Sequence, residues 1–558
     1  VQEVGGINFG LHRTHLDIPS SLKGRLTQLR GKKLKFYRNG PELKFKSETA
    51  LKQEELEIFR ELLNARAHKL ENDIKTLTQR IETPQDQAVM AGMEPKAIQA
   101  PLAVQRWREN RQKLTDELGQ VQKAREALRT TKDVPFIWDI AFVEIFEGEK
   151  KGFDIVVGNP PYVRQQKIED PQGIYNKSTY KTKLQQSVYT AYPTFFGCNP
   201  AKNTLSRKID GRSDYYIFFY LHGLNLLNHE GSFCFITSNS WLDVGYGKDL
   251  QEFLLTHCHI KMILDNQRKR SFTQADINTI IVLFSSPDEK NERGLDKKAR
   301  FVMFRVPYEE VLSPVIFQEI EEAAELATDP KHRRLQVPAF GTNEMITITE
   351  LSRPEFRIRV LEQADLHKDG LSSADEEGGF ISAEPVYSGG KWGGKYLRAP
   401  EIFWTLLEKG KHRFNNLATL ALVGTYLNTG GADDFFFVEV GEYLKDTVLI
   451  HSRCSPQTFE VERKYLRTFL ESPRQLQHID VSLHDLDTRI LAIPKGESMS
   501  NKKVQSYLKW GEKKSFHLAS GRKGKSPWYL LPKEAFEGSE ILWPARVGDK
   551  HYVYFNPQ

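Results

Sequence analysis

Between residues 153 and 284 short apolar runs alternate with a long apolar-faced stretch, and no other feature restricts the fold as tightly. FDIVVG (153–158), SFCFITS (232–238), IKMILD (260–265) and INTIIVLF (277–284) are of strand length and rich in Val, Ile and Phe. DYYIFFYLHGLNLLNHEG (214–231) places apolar side chains at 215, 218, 219, 221, 224, 226 and 227, which predicts a buried helix ending at Gly231. VPFIWDIAFVEIF (134–146) reads as a further strand-like run. Strands separated by helices predict the α/β class with a wound sheet.

The rest of the 558-residue chain has the length for two or three domains. Leu56, Phe59, Leu63, Ala67, Leu70, Ile74, Leu77 and Ile81 form one helical stripe, and Trp107, Leu114, Leu118, Val121 and Leu128 form another. A Pro- and Gly-containing connector between them predicts an antiparallel hairpin over about 51–129, inside an N-terminal segment 1–133. The α/β region is expected over 134–290, a partly low-order connector over 291–394, and a further α+β domain over 395–558. In that last domain DDFFFVEV reads as strand and VERKYLRTFLES as helix.

Composition excludes several classes. Cys198, Cys234, Cys258 and Cys454 form no CxxC pair, so neither a zinc ribbon nor a disulfide framework is expected, and no metal site is suggested. No apolar run approaches the roughly 18 residues of a membrane span, which gives the expectation of a non-membrane, cytoplasmic protein. A net charge of +6 permits a polyanionic partner without requiring one. The opening VQEVGGINFG, with Val1 in first place, reads as the middle of a longer sequence.

FDIVVG runs directly into Asn159, Pro160, Pro161 and Tyr162. In wound sheets the carboxyl ends of strands open onto the functional crevice. The Asn159 amide oxygen and the Pro160 carbonyl are two acceptors able to take both hydrogens of an exocyclic amine. Proline holds its predecessor extended and presents a carbonyl with no competing N–H. Tyr162 adds a flat face on which a base can stack.

These residues resemble the amino-methyltransferases, in particular the gamma-class adenine-N6 DNA methyltransferases. The resemblance continues through DYYIFFYLHGLNLLNHEGSFCFITSNSWL and LDNQRKRSFTQADINTIIVLF. It implies a partial Rossmann-like methyltransferase sheet, S-adenosylmethionine as methyl donor, double-stranded DNA as partner, and a flipped adenine stacked between Tyr162 and Phe272. From Lys395 onward the chain is similar to target recognition domains of type IIG restriction-modification polypeptides, in KYLRAPEIFWTLLEKG, YLKWGEKKSFH and RKGKSPWYLL. That similarity implies DNA approach at Thr429 and Gly430 and through Lys513, Lys514, Arg522, Lys523 and Lys525, with Tyr507, Trp510, Phe516, Trp528 and Tyr529 interleaved.

The family's donor pocket uses a Gly-rich turn ahead of the catalytic tetrapeptide. Here only GGINFG (5–10) precedes it, and no strand-turn-helix pattern surrounds that stretch. The donor half is therefore expected upstream of Val1 or on another polypeptide. ExK triplets at 149–151 and 462–464 are chance occurrences in so charged a chain, so any nuclease is also expected elsewhere. Two alternatives stay open at this point: a protein glutamine-N5 methyltransferase, and a non-catalytic DNA-specificity subunit.

Overall fold

The computed structural model describes residues 19–39, 48–82, 102–130, 136–266, 278–372, 385–414 and 420–556, with short breaks inside the last four stretches, and two dipeptide strands at Glu3–Val4 and Ile7–Asn8. It divides into two compact units, Val1–Phe414 and Asn415–Gln558.

The first unit opens with three helices: α1 (Ser20–Asn39), α2 (Glu48–Glu82) and α3 (Leu102–Thr130). Arg60 donates to the Leu128 carbonyl and Arg66 pairs with Glu117, so α2 and α3 run antiparallel, as the two stripes predict. Leu56, Phe59, Leu63, Ala67 and Leu70 are buried against Val121 and Leu128, while Ile74, Leu77 and Ile81 are only half-buried. The predicted strand at 134–146 is not one. Trp138–Ala141 (α4) and Val143–Phe146 (α5) are single helical turns whose Ile140 and Val143 pack on the hairpin.

The sheet is built from β1 (Phe153–Gly158), β2 (Leu227–Ser238), β3 (Ile260–Asn266), β4 (Thr279–Ser285), β5 (Lys298–Phe304), β6 (His332–Pro338), β7 (Met345–Ser352) and β8 (Phe356–Glu362). Their spatial order is β1-β2-β4-β3-β5-β8-β7-β6. The β1/β2 and β3/β5 pairs are parallel and all other neighbours antiparallel. The sheet is thus mixed, and the carboxyl ends of β1, β2, β3 and β5 meet at one edge. Helices α6 (Lys177–Ala191), α7 (Tyr215–Asn225) and α8 (Lys248–His257) share one core with it, around Leu184, Tyr220, Phe233, Leu254 and Phe284. The predicted helix to Gly231 ends at Asn225, because Leu227 already pairs with Phe153 as the start of β2.

Two boundaries are corrected. Residues 298–362, expected within a connector, supply four strands of the same sheet. Residues 395–414, expected to open the second domain, belong to the first unit. The physical reason is a set of buried charges. The Arg359 Nε donates to Glu350 at 2.6 Å and its Nη1 to the Tyr396 carbonyl at 3.0 Å, with the guanidinium 4.7 Å from the Trp404 ring centre. Lys395 reaches Asp369 at 2.6 Å, and the Tyr396 hydroxyl donates to the same carboxylate at 2.8 Å. These ties hold the π-helical turn Gly393–Arg398 and α9 (Glu401–Gly410) against the sheet.

The second unit holds a five-stranded antiparallel sheet of β9 (Phe437–Tyr443), β10 (Thr447–Ser452), β11 (Thr458–Glu462), β12 (Leu466–Thr468) and β13 (Arg489–Leu491), ordered β11-β10-β9-β13-β12. VERKYLRTFLES is therefore strand, turn and strand, since Leu466 pairs with Leu491 where a helix would have turned away. Helix α10 (Gln505–Lys513) buries Tyr507 and Trp510 in this unit's core.

In α8, burial pushes the Asp249 carboxyl up to about 6, although it accepts from the Asp210 N–H at 3.1 Å. The folded chain then holds a proton that the unfolded chain has already released, so stability falls as pH rises from the usual carboxylate range through about 6. Asp249→Asn keeps the acceptor and removes the charge. Urea denaturation is expected to show the variant ahead of wild type by on the order of 2 kcal/mol at about pH 7, with the gain gone near about pH 4.

Candidate active-site edge and basic loop surface

The first site forms where β1 ends. Gly158 lies beneath the Phe235 ring, and a Cβ there would stand 2.9 Å from Phe235 Cε1, so only glycine lets the strand end pack this closely on β2. The chain then emerges as Asn159, exposed, with Pro160 buried, Pro161 exposed and Tyr162 half-buried. The Tyr162 hydroxyl faces two acceptors, Asn159 Oδ1 at 2.6 Å and the Ile236 carbonyl of β2 at 3.1 Å. Burial pushes its pKa up to about 12, so it stays protonated and remains a donor. Asn159 Oδ1 keeps a second lone pair for an incoming N–H. The Pro160 carbonyl has no hydrogen-bond partner among the described residues.

Asp214, the residue before α7, steadies the segment that follows. Its carboxylate accepts from the Gln165 N–H at 2.9 Å and from the Tyr246 hydroxyl at 2.9 Å, and the Tyr215 N–H donates to the Val163 carbonyl at 3.0 Å. The neighbouring strand ends are also tied. The Asn239 N–H donates to the Asn278 carbonyl at 3.0 Å, and Arg398 bridges Asp243, after β2, to Asp265, at the end of β3, the latter at 3.3 Å. The Asp243 carboxylate also accepts from the Gly394 N–H at 2.8 Å. Arg398 went unrecognised in the sequence because it lies more than a hundred residues from both partners. KYLRAP stands out in the sequence, but its similarity to target recognition domains points to the second domain and not to the first unit, where it lies.

Phe272 lies outside the described residues. Among the described residues no group of three or more His, Cys, Asp or Glu side chains is placed to hold a metal. Nor do the described residues offer a cradle for S-adenosylmethionine. β1 is the end strand of the sheet, no glycine-rich turn stands on a further strand beside it, and the dipeptide strands Glu3–Val4 and Ile7–Asn8 pair only with each other.

In the second unit Lys513, Lys514, Lys523 and Lys525 are exposed. Two expectations are corrected. Arg522 is 1 % exposed and donates to the carbonyls of Thr429 and Leu530, both at 2.6 Å, and of Asn428 at 3.3 Å. Thr429 is 3 % exposed, with its hydroxyl on Asp433, while its neighbours Asn428, Gly430 and Gly431 reach the surface. The interleaved aromatics are core as well. Tyr507 stacks on Phe435 with ring centres 4.8 Å apart, and Trp510 and Trp528 lie in the same cluster. Alternation of aromatic and basic residues at helical spacing places the rings inside and the lysines outside.

The strand end thus sets the exposed Asn159 amide and the carbonyl of the buried Pro160 beside the half-buried Tyr162 ring. Residues 43–197 and 199–272 match the family described as Eco57I restriction-modification methylase. The chain is 30 % identical over 120 residues to the type II methyltransferase M.BstVI of Geobacillus stearothermophilus, covering 22 % of this chain and 17 % of that protein. It is 29 % identical over 113 residues to the type II methyltransferase M.PaeR7I of Pseudomonas aeruginosa, covering 20 % and 15 %. The matched part thus spans less than a fifth of either curated relative. Among solved structures it is similar to the type IIG restriction endonuclease BpuSI (TM-score 0.30, 13 % identity, 73 % of this chain and 40 % of that one). It is also similar to the type IIL restriction-modification enzyme MmeI in complex with DNA (TM-score 0.31, 13 % identity, 79 % and 45 %).

Tyr162→Phe removes the donor shared by Asn159 and Ile236. Denaturant titration is expected to show a folded variant weakened by about 1 kcal/mol, since one hydroxyl bond is lost and no volume changes.

Proposed function

We propose that this chain carries the amine-gripping and DNA-specificity parts of an adenine-N6 DNA methyltransferase of a restriction-modification system, with S-adenosylmethionine as donor. The observation that carries this reading is the Asn159-Pro160-Pro161-Tyr162 edge, with the exposed Asn159 amide and the Pro160 carbonyl, which pairs with no described residue, beside an aromatic ring. The amine of adenine is a weak nucleophile because its lone pair is delocalised into the ring. Asn159 Oδ1 and the Pro160 carbonyl accept its two hydrogens and draw the nitrogen toward a pyramidal shape, which localises that pair. Tyr162 holds the base after it leaves the duplex stack, with Phe272 as the second face. The tie from Tyr162 to Ile236 and Asn159 sets the ring and the amide in one geometry before substrate arrives.

The donor is held by residues other than those described here or by a separate polypeptide. Support comes from β1 itself. It pairs in parallel with β2 on one side and with nothing described on the other, and Ile155 and Val157 on one face are 68 % and 75 % exposed. Parallel strands ordinarily have both faces covered, so this edge has the character of a surface meant to be joined. The same observation keeps a second reading, a DNA-specificity subunit without catalysis of its own.

Methyl transfer to duplex DNA and duplex binding, measured on wild type and Asn159→Ala in the presence of the donor-binding polypeptide, test the proposal. The variant is expected to lose transfer by at least about 100-fold and to bind DNA as before. Equal loss of both would remove the proposed mechanism. Wild type that binds DNA but transfers no methyl group would establish the second reading.

A further inference from the structure

The cations that follow Tyr162 fall into two groups. Residues 163–183 hold five of them. Lys177 pairs with Glu169 at 3.2 Å, Lys181 donates to Gln165 Oε1 at 3.1 Å, and Lys183 lies 4.3 Å from the Tyr175 ring centre. Arg164 and Lys167 are exposed, and among the described residues neither side chain has a hydrogen-bond, ion-pair or ring partner. The other carboxylates between Tyr162 and α7 are already engaged. Asp170 accepts from the Tyr175 N–H at 2.9 Å, Asp210 pairs with Arg212 at 2.7 Å, and Asp214 accepts from the Gln165 N–H and the Tyr246 hydroxyl.

The two unengaged cations stand on a turn that is fixed from several sides. Gln165–Lys167 is a single turn of 3-10 helix, closed by the Lys167 N–H on the Arg164 carbonyl at 2.8 Å. Its first residue is held by the backbone through Asp214 and by the side chain through Lys181. Val163, just ahead of it, and Ile168, just after it, both pack into the sheet core. Asp214 shows how far the chain goes to hold this turn. It occupies the N-cap position of α7, where a carboxylate ordinarily accepts from one of the first helical N–H groups, yet it makes no such bond. Its oxygens serve the turn and Tyr246 instead. With the backbone already ordered, a ligand at this place has only two side chains to immobilise.

Arg164 is two residues from Tyr162, at most about 7 Å of chain. A base stacked on Tyr162 with its amine at Asn159 and Pro160 has its sugar at the opposite end of the ring system, and a phosphodiester stays attached to that sugar. We propose that Arg164 and Lys167 form a phosphate subsite of the adenine site and hold the phosphodiester of the extruded nucleotide itself. The planar guanidinium of Arg164 matches two phosphate oxygens, and Lys167 adds a second charge without a fixed direction. Gripping one nucleotide at both ends makes the second contact intramolecular, so each raises the occupancy of the other. The inference rests on the base-holding part of the proposed function and assigns the group that secures the other end of the same nucleotide.

The test is saturation-transfer NMR of the full chain with two ligands, 2′-deoxyadenosine and its 5′-methylphosphate diester, which differ only in the phosphate. Wild type is expected to bind the diester about tenfold more tightly, the worth of one charge-assisted contact. Arg164→Ala is expected to remove most of that preference and to leave the affinity for 2′-deoxyadenosine as it was, and Lys167→Ala to lower the preference by a smaller factor. Both side chains are exposed, and near-ultraviolet circular dichroism checks that the variants fold. Lys208, exposed on a later loop, serves as the comparison, and Lys208→Ala is expected to keep the full preference. A preference that survives Arg164→Ala, or that falls equally in Lys208→Ala, overturns the inference, as does wild type that binds both ligands alike. If Asn159→Ala binds 2′-deoxyadenosine like wild type while Arg164→Ala loses the preference, the phosphate subsite stands and the amine-gripping reading falls. Wild type that binds neither ligand overturns both.

Discussion

The pairing of β1 with β2 is the constraint on which the first unit's chemistry depends. Because the two strands are parallel, Gly158 of one lies opposite Phe235 of the other, and both chains reach the same edge of the sheet. The register then brings Tyr162 within hydrogen-bonding reach of the Ile236 carbonyl, one residue beyond that pair. A shift by one residue would turn Val156, which packs into the core, outward and would carry the ring away from its acceptor. The parallel pairing of β3 with β5 brings two more strand ends to the same edge. There Arg398 fastens the end of β3 to the loop after β2.

The sequence made some of this legible and hid the rest, for reasons that follow from the kinds of interaction involved. Local periodicity reports what a residue's near neighbours do. The hairpin stripes, the four apolar runs and the strand ending in Asn159 were therefore readable. Residues 134–146 have the same apolar density as a strand, but at that length periodicity does not separate a buried strand from two helical turns. The strands at 298–362 were passed over for a related reason. They pair antiparallel with one another and carry arginines, and Arg357 and Arg359 read as surface while their acceptors, the Leu397 and Tyr396 carbonyls and Glu350, are supplied by folding.

The same principle governs the second unit. Lys513, Lys523 and Arg522 are chemically alike in a list of basic residues, yet two are solvent-facing and one is among the most buried side chains of the unit. What separates them is the company of neutral carbonyls, which composition does not record. Aromatic residues between the lysines misled in the same way. Along α10 the spacing of Tyr507 and Trp510 is three, which puts both rings on one buried face, with Lys509 turned away and Lys513 at the exposed end of the helix.

Exposure also limits what the proposed amine acceptors are worth by themselves. A hydrogen bond from an amine to Asn159 in contact with water replaces one the amine already made to solvent, and its net worth is about 0.5–1.5 kcal/mol. Preorganised acceptors in a dry site are worth roughly 3–4 kcal/mol, the difference between a small effect and a rate change of about a thousandfold. Asn159 stands exposed at the end of a strand whose Ile155 and Val157 are bare. The chain therefore fixes the direction of the acceptors by itself, through Tyr162, Gly158 and the β1/β2 register. Under the proposed function their strength depends on a surface that excludes water from the same edge.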